Sequence, residues 1–101
     1  MNFSTQTEGQ TGIIKLEGRF TFEAHQEFKA ASTPMLAQSL TAIHLDLSGV
    51  SYMDSSSLGM LLLLREKAEA KGIKVVLLRP SPSVLAIIKV VQFGKLFEIV
   101  E

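Results

Sequence analysis

A chain of 101 residues is the length of one small domain. It is 47% hydrophobic and 20% charged, and its ten basic and ten acidic residues leave a formal net charge of zero. This composition suits a packed core rather than disorder. It offers no basic field for nucleic acid and no polybasic segment for a membrane, and without Cys it excludes a disulfide framework and thiol chemistry. His25 and His44 lie far apart with no ligand spacing, so no metal or other cofactor is expected. The N-terminal MNFSTQTEGQ lacks a signal pattern, and no apolar run approaches ~20 residues. The expectation is a soluble, cytoplasmic domain spanning residues 1–101.

Asn2 to Gln6 alternates weakly and reads as an edge strand; Glu8-Gly9-Gln10 is turn material. Thr11 to Glu17 is a better strand, with Ile14 and Leu16 on one face and Ile13, Lys15 and Glu17 on the other. The short connection predicts an antiparallel hairpin. Gly18-Arg19-Phe20-Thr21 reads as the next turn. Thr21 is then the cap of a helix from Phe22 to about Leu40, with Phe28 inside and Pro34 kinking or splitting it.

Ile43, Leu45 and Leu47 alternate with His44, Asp46 and Ser48, which predicts a strand over 42–48 with one face buried and one solvated; Gly49 ends it. After a serine-rich turn, Leu58 to Lys71 contains good helix formers, no Pro and no β-branched residue. Gly72 stands where a left-handed C-terminal cap belongs. Ile73 to Leu78 is a continuous apolar strand stopped by Arg79-Pro80. Ser81 caps a third helix with Pro82 at its first position, Val84, Leu85, Ile87, Ile88 and Val91 at helical spacing, and an end near Gly94. Leu96 to Val100 reads as a last short strand or a helical turn.

Strands alternating with helices imply an α/β domain with right-handed parallel crossovers. The polar residues of strand 42–48 argue against helices on both faces of the sheet. The expected fold is a mixed, mostly parallel sheet with helices mainly on one face.

The turn Met53-Asp54-Ser55-Ser56-Ser57-Leu58-Gly59 holds more serines than one cap needs. It leaves the C-terminal end of an inner strand, where α/β proteins place their working groups. With the preceding Leu45-Asp46-Leu47, this stretch resembles the STAS family, the anti-sigma factor antagonist domains of bacteria, whose motif is a hydrophobic strand, Asp-Ser-Ser-Gly-Leu-Gly and a Leu-rich helix. The resemblance covers nearly the whole chain. It implies successive βα units winding as a right-handed superhelix, and phosphorylation of the second serine after the Asp, which falls on Ser56. Ser57 replaces the family's usual Gly, which adds a hydroxyl able to compete as acceptor, as Ser55 also can. The family usually has an acidic residue at the position of Thr21, in a loop facing the partner; here the residue is neutral.

On a helical wheel, Ser57, Leu61, Leu64 and Ala68 share the core stripe, flanked by Met60 and Leu58. Ser56, Gly59, Leu63, Glu66, Lys67 and Ala70 point the opposite way. Leu63 is thus an apolar residue on a wet face, about 10 Å along the axis from Ser56. Gly59, which lowers helix propensity by roughly 1 kcal/mol relative to Ala, flattens the surface between them. The expected partner surface is Ser56, Gly59 and Leu63, with Met53, Asp54, Ser55, Ser57 and Thr21 at its edge.

No catalytic residue is expected. The turn lacks the Gly-x-Ser-x-Gly of a nucleophile elbow, Asp54 has no second carboxylate at useful spacing, and no Gly-rich phosphate loop with Lys is present. The resemblance implies a regulatory binding protein whose partners are an anti-sigma factor or serine kinase and a serine phosphatase. The alternative is a constitutive STAS subunit of a larger assembly, such as a transporter complex or stressosome, without a phosphorylation cycle.

Overall fold

The structure, a computed structural model, describes residues 1–101. Strands β1 (Asn2–Glu8) and β2 (Thr11–Phe20) form the antiparallel hairpin, turning at Gly9. A 3-10 turn, Phe22–Ala24, leads into α1 (His25–Leu36). Then follow β3 (Ala42–Met53), α2 (Ser55–Glu69), β4 (Lys74–Leu78), α3 (Pro82–Val90), a second 3-10 turn at Phe93–Lys95, and β5 (Glu98–Val100). The sheet order is β1-β2-β3-β4-β5, with β2 to β5 all parallel.

In a parallel series laid down in sequence order, every right-handed crossover places its helix on the same side. The core confirms this. Phe28 and Leu36 of α1, Leu61 and Leu64 of α2, and Val84 and Ile88 of α3 join one cluster with Ile14, Leu16, Ile43, Leu45, Val75 and Leu77.

Several local expectations are corrected. Gly18 to Phe20 is strand rather than turn, with Gly18 at φ 108°. The first helix ends at Leu36, two residues after Pro34, rather than near Leu40; a proline removes the bond to the carbonyl four residues back, and the helix does not outlast that gap. The third helix ends at Val90, short of Gly94. Its Ser81 does not cap it through the side chain; that hydroxyl instead donates to the Val50 carbonyl at 2.7 Å, tying α3 to β3. Of the two readings open for the last element, the structure forms the short strand, β5. Gly72, at φ 72°, ends α2 in the expected left-handed turn: its N–H donates to the Glu69 carbonyl and the Ile73 N–H to that of Ala68, the paired bonds of a Schellman motif.

The largest correction concerns β3. Gly49 does not end it; the strand runs five residues beyond the expected end at Ser48, to Met53. Between the Lys15–Asp46 and Phe20–Met53 pairs, β3 uses two residues more than β2, so two bulges interrupt the register. Each bulge reverses the alternation, and the buried positions become Leu47, Val50 and Met53, three apart instead of two. Gly49 lies at the first bulge, where a Cβ would sit 2.8 Å from Glu17 Cγ and 3.1 Å from the Leu16 carbonyl oxygen, so a larger residue would have to displace the Glu17 side chain. Asp46, expected in solvent, is buried. Its Oδ1 accepts the Ser48 N–H at 3.0 Å, and its Oδ2 pairs with Arg79 Nη2 at 2.8 Å. Burial works against the charge on Asp46, but the hydrogen bonds from Arg79 and Ser48 outweigh it and hold the carboxyl below its ordinary pKa.

Candidate functional site

The two bulges bring Phe20 and Met53 level as the last paired residues of β2 and β3. The next residues, Thr21 and Asp54, therefore start their connections side by side at the C-terminal end of the sheet. Thr21 has the extended conformation of a helix cap, but its side chain makes no capping bond. Asp54 takes that work as well as its own. Its Oδ1 accepts the Ser57 N–H at 2.8 Å, and its Oδ2 accepts the Phe22 N–H at 3.1 Å. One carboxylate thus caps α2 and the 3-10 turn before α1. The Ser57 N–H, and after it that of Phe22, hold the Asp54 carboxyl below its ordinary pKa.

Ser57 completes a capping box. Its hydroxyl oxygen accepts the Asp54 N–H at 3.0 Å, while the hydroxyl donates to the Asp54 carbonyl at 2.7 Å. The side chain is 0% exposed. Of the three serines, only Ser55 and Ser56 are exposed, at the first and second positions of α2. Ser57 is in the core, where the helical wheel places it, and both its hydrogen-bonding directions are used internally, so the expectation that its hydroxyl could compete as acceptor is corrected. Met53 is corrected likewise, since its side chain is buried rather than at the edge of a contact face.

The wheel of α2 agrees with the structure. Ser57, Leu61, Leu64 and Ala68 are buried together with Met60. Ser56, Gly59, Leu63, Glu66, Lys67 and Ala70 are exposed, Leu63 at 47%. A Cβ on Gly59 would meet nothing within 4 Å, so no packing inside the domain demands glycine at this position.

Three residues missed from sequence border the same turn. Arg19 and Tyr52 are register partners on β2 and β3, with the guanidinium carbon 4.4 Å from the ring centroid. Tyr52 is 41% exposed and Phe22 66% exposed, and with Thr21 and Asp54 they line one depression. The available signal is Tyr52 immediately before Met53-Asp54, which lies beyond the expected end of the strand at Gly49. No group of three or more His, Cys, Asp or Glu is placed to hold a metal, and no helix is long and apolar enough to cross a membrane.

Residues 3–101 match the family described as "Mlab, STAS domain". The chain is similar to a STAS-domain-containing protein of Pseudomonas aeruginosa (strain UCBPP-PA14), 39% identical over 92 residues, covering 91% of this chain and 90% of that protein. It is also similar to the anti-sigma F factor antagonist of Lysinibacillus sphaericus, 34% identical over 88 residues, covering 86% of this chain and 73% of that protein. Among solved structures it resembles the anti-sigma factor antagonist SpoIIAA in its unphosphorylated form, with a TM-score of 0.78 and 28% identity over 99% of this chain and 88% of that one.

Proposed function

The chain belongs to the STAS domain family and has the fold of an anti-sigma factor antagonist, and from this we propose that it is a regulatory binding protein switched by phosphorylation of Ser56. The observation that carries the reading is the division of labour among the three serines. Ser57 is locked into the capping box, which leaves Ser55 and Ser56 exposed, and of these two Ser56 stands in line with exposed Leu63 two helical turns on, with Gly59 between them.

A phosphate on Ser56 adds about −1.5 to −2 charges at the positive end of the α2 dipole. Backbone N–H groups in the first turn favour an anion there. Phosphorylation therefore leaves the helix intact or stabilises it, and the signal lies at the surface. The phosphate puts bulk and charge in the middle of the contact face, beside the ionised Asp54. A partner docked over Gly59 loses its fit and must strip water from that charge. The partners are an anti-sigma factor acting as an ATP-dependent serine kinase, and a phosphatase that resets the switch. This chain itself performs no catalysis in the cycle.

The test combines phosphate mapping with binding. Protein isolated from its own cell is analysed by mass spectrometry, and the partner that co-purifies with it is titrated against Ser56→Ala and Ser56→Asp variants. Phosphate on Ser56, tight binding by Ser56→Ala and weak binding by Ser56→Asp are expected, with circular dichroism unchanged. Phosphate found only on Ser55, or equal binding by the two variants, overturns the mechanism. In that case a constitutive subunit of a larger complex becomes the better reading.

A further inference from the structure

The exposed face of α2 does not end at Leu63. A cleft of about 90 Å³ lies beside it, lined by residues of α1 and α2. Its floor is apolar, made by Phe28, Leu36, Met60 and Leu64, with the Leu63 side chain on the rim. The rest of the lining is Lys29, Ser32, Thr33 and His25 from α1 and Lys67 from α2. No carboxylate lines it. Glu66 lies on the same exposed side of α2 but outside the cleft, and Glu27 of α1 lines the separate depression beside Asp54.

We infer that this cleft is the seat of an acidic amphipathic helix of a partner protein, which inserts one aliphatic side chain between α1 and α2 and sets its carboxylates against Lys29 and Lys67. The inference rests on the reading of the Ser56–Leu63 face as the binding surface and names the chemistry of what binds there. Three observations carry it. The cleft is open to solvent and has buried Phe28, Leu36, Met60 and Leu64 at its base, so an apolar side chain entering from outside meets apolar surface. The unopposed lysines, one on each wall, complement a negatively charged partner. The cleft is also continuous with the flat face, because Leu63 belongs to both and follows Gly59 by one helical turn. Helix-in-groove recognition by spaced apolar anchors fits such a surface.

The probes are three blocked helical peptides: one of Glu and Ala with a single central Leu, one with Lys in place of every Glu, and one with the Leu replaced by Ala. Each is titrated into the unphosphorylated, ¹⁵N-labelled chain and followed by amide shifts. The Glu peptide should move the amides of Ser32, Leu36, Leu63 and Lys67. The Lys peptide and the peptide without Leu should bind at least about fivefold more weakly. A Lys29→Glu/Lys67→Glu double variant, checked for an unchanged melt, should reverse the preference between the Glu and Lys peptides. Equal binding of the Glu and Lys peptides, shifts that avoid the cleft, or no shifts with any peptide overturn the inference. Ser56 is untouched throughout, so such a result leaves the phosphorylation reading to its own test, and a missing phosphate on Ser56 leaves this titration standing.

Discussion

Asp54 accepts the backbone N–H of Phe22 at 3.1 Å across 32 positions of sequence. The same carboxylate caps α2 through Ser57, so the two loops at the C-terminal ends of β2 and β3 are held as one unit. Asp54 is therefore more than a helix cap in the Asp-Ser-Ser-Ser turn. It keeps the loop carrying Phe22 and Thr21 against the start of the helix that carries Ser56.

Replacing Asp54 by Ala should free both ends at once. Hydrogen exchange at the Phe22 and Ser57 amides should accelerate together, and the melting temperature should fall by a few degrees. Asn keeps one acceptor oxygen but turns an N–H₂ toward one of the two donors, so Asp54→Asn should release one of the two amides rather than both. Acceleration at Ser57 alone in the Ala variant would show that the Phe22 bond does not hold the loop.

The acid limb of stability should report Asp46 and Asp54 together. Both carboxyls have lowered pKa values when folded, so the unfolded chain binds more protons as the pH falls. Their stabilisation is complete above the ordinary carboxylate value near 4 and is lost as the pH drops through the lower folded-state values. Denaturant melts between about pH 5 and about pH 2.5 should show stability rising with pH, and the slope should be shallower in Asp46→Asn. An unchanged slope would remove Asp46 as a contributor.

Gly59 separates stability from binding. A Cβ there meets nothing within 4 Å, so Gly59→Ala should stabilise the isolated domain by up to about 1 kcal/mol through helix propensity. The same methyl group sits in the middle of the proposed contact face and should weaken partner binding. A variant that gains stability without losing affinity would place the contact elsewhere.

Leu63 and Leu61 make a matched pair. Leu63 is half exposed and Leu61 has no exposed surface. Leu63→Asp should leave the melt nearly unchanged and weaken partner binding by an amount typical of a lost anchor, ~2 kcal/mol or more. Leu61→Asp should unfold the domain, because it buries an unpaired charge. Unfolding of Leu63→Asp would contradict the exposure of that side chain.

What could be read from the chain alone was what short-range chemistry controls. The alternation of Ile43, Leu45 and Leu47, the apolar stripe of Leu61, Leu64 and Ala68, the Pro at the first position of α3 and the glycine that closes α2 each depend on neighbours within a turn or two. That was enough for the α/β order, the helices on one face and the exposure of Ser56, Gly59 and Leu63. Tertiary structure decided the rest, because it depends on which strands lie side by side and in what register. The two bulges of β3 exist only against β2, and they carry the strand past Gly49, turn Val50 inward and set Asp54 beside Thr21. The Ser57 hydroxyl looked available in the sequence and is consumed by the capping box once the helix packs. The cleft between Lys29 and Lys67 has no counterpart in any local pattern, since its walls come from two helices whose separation is set by the sheet beneath them.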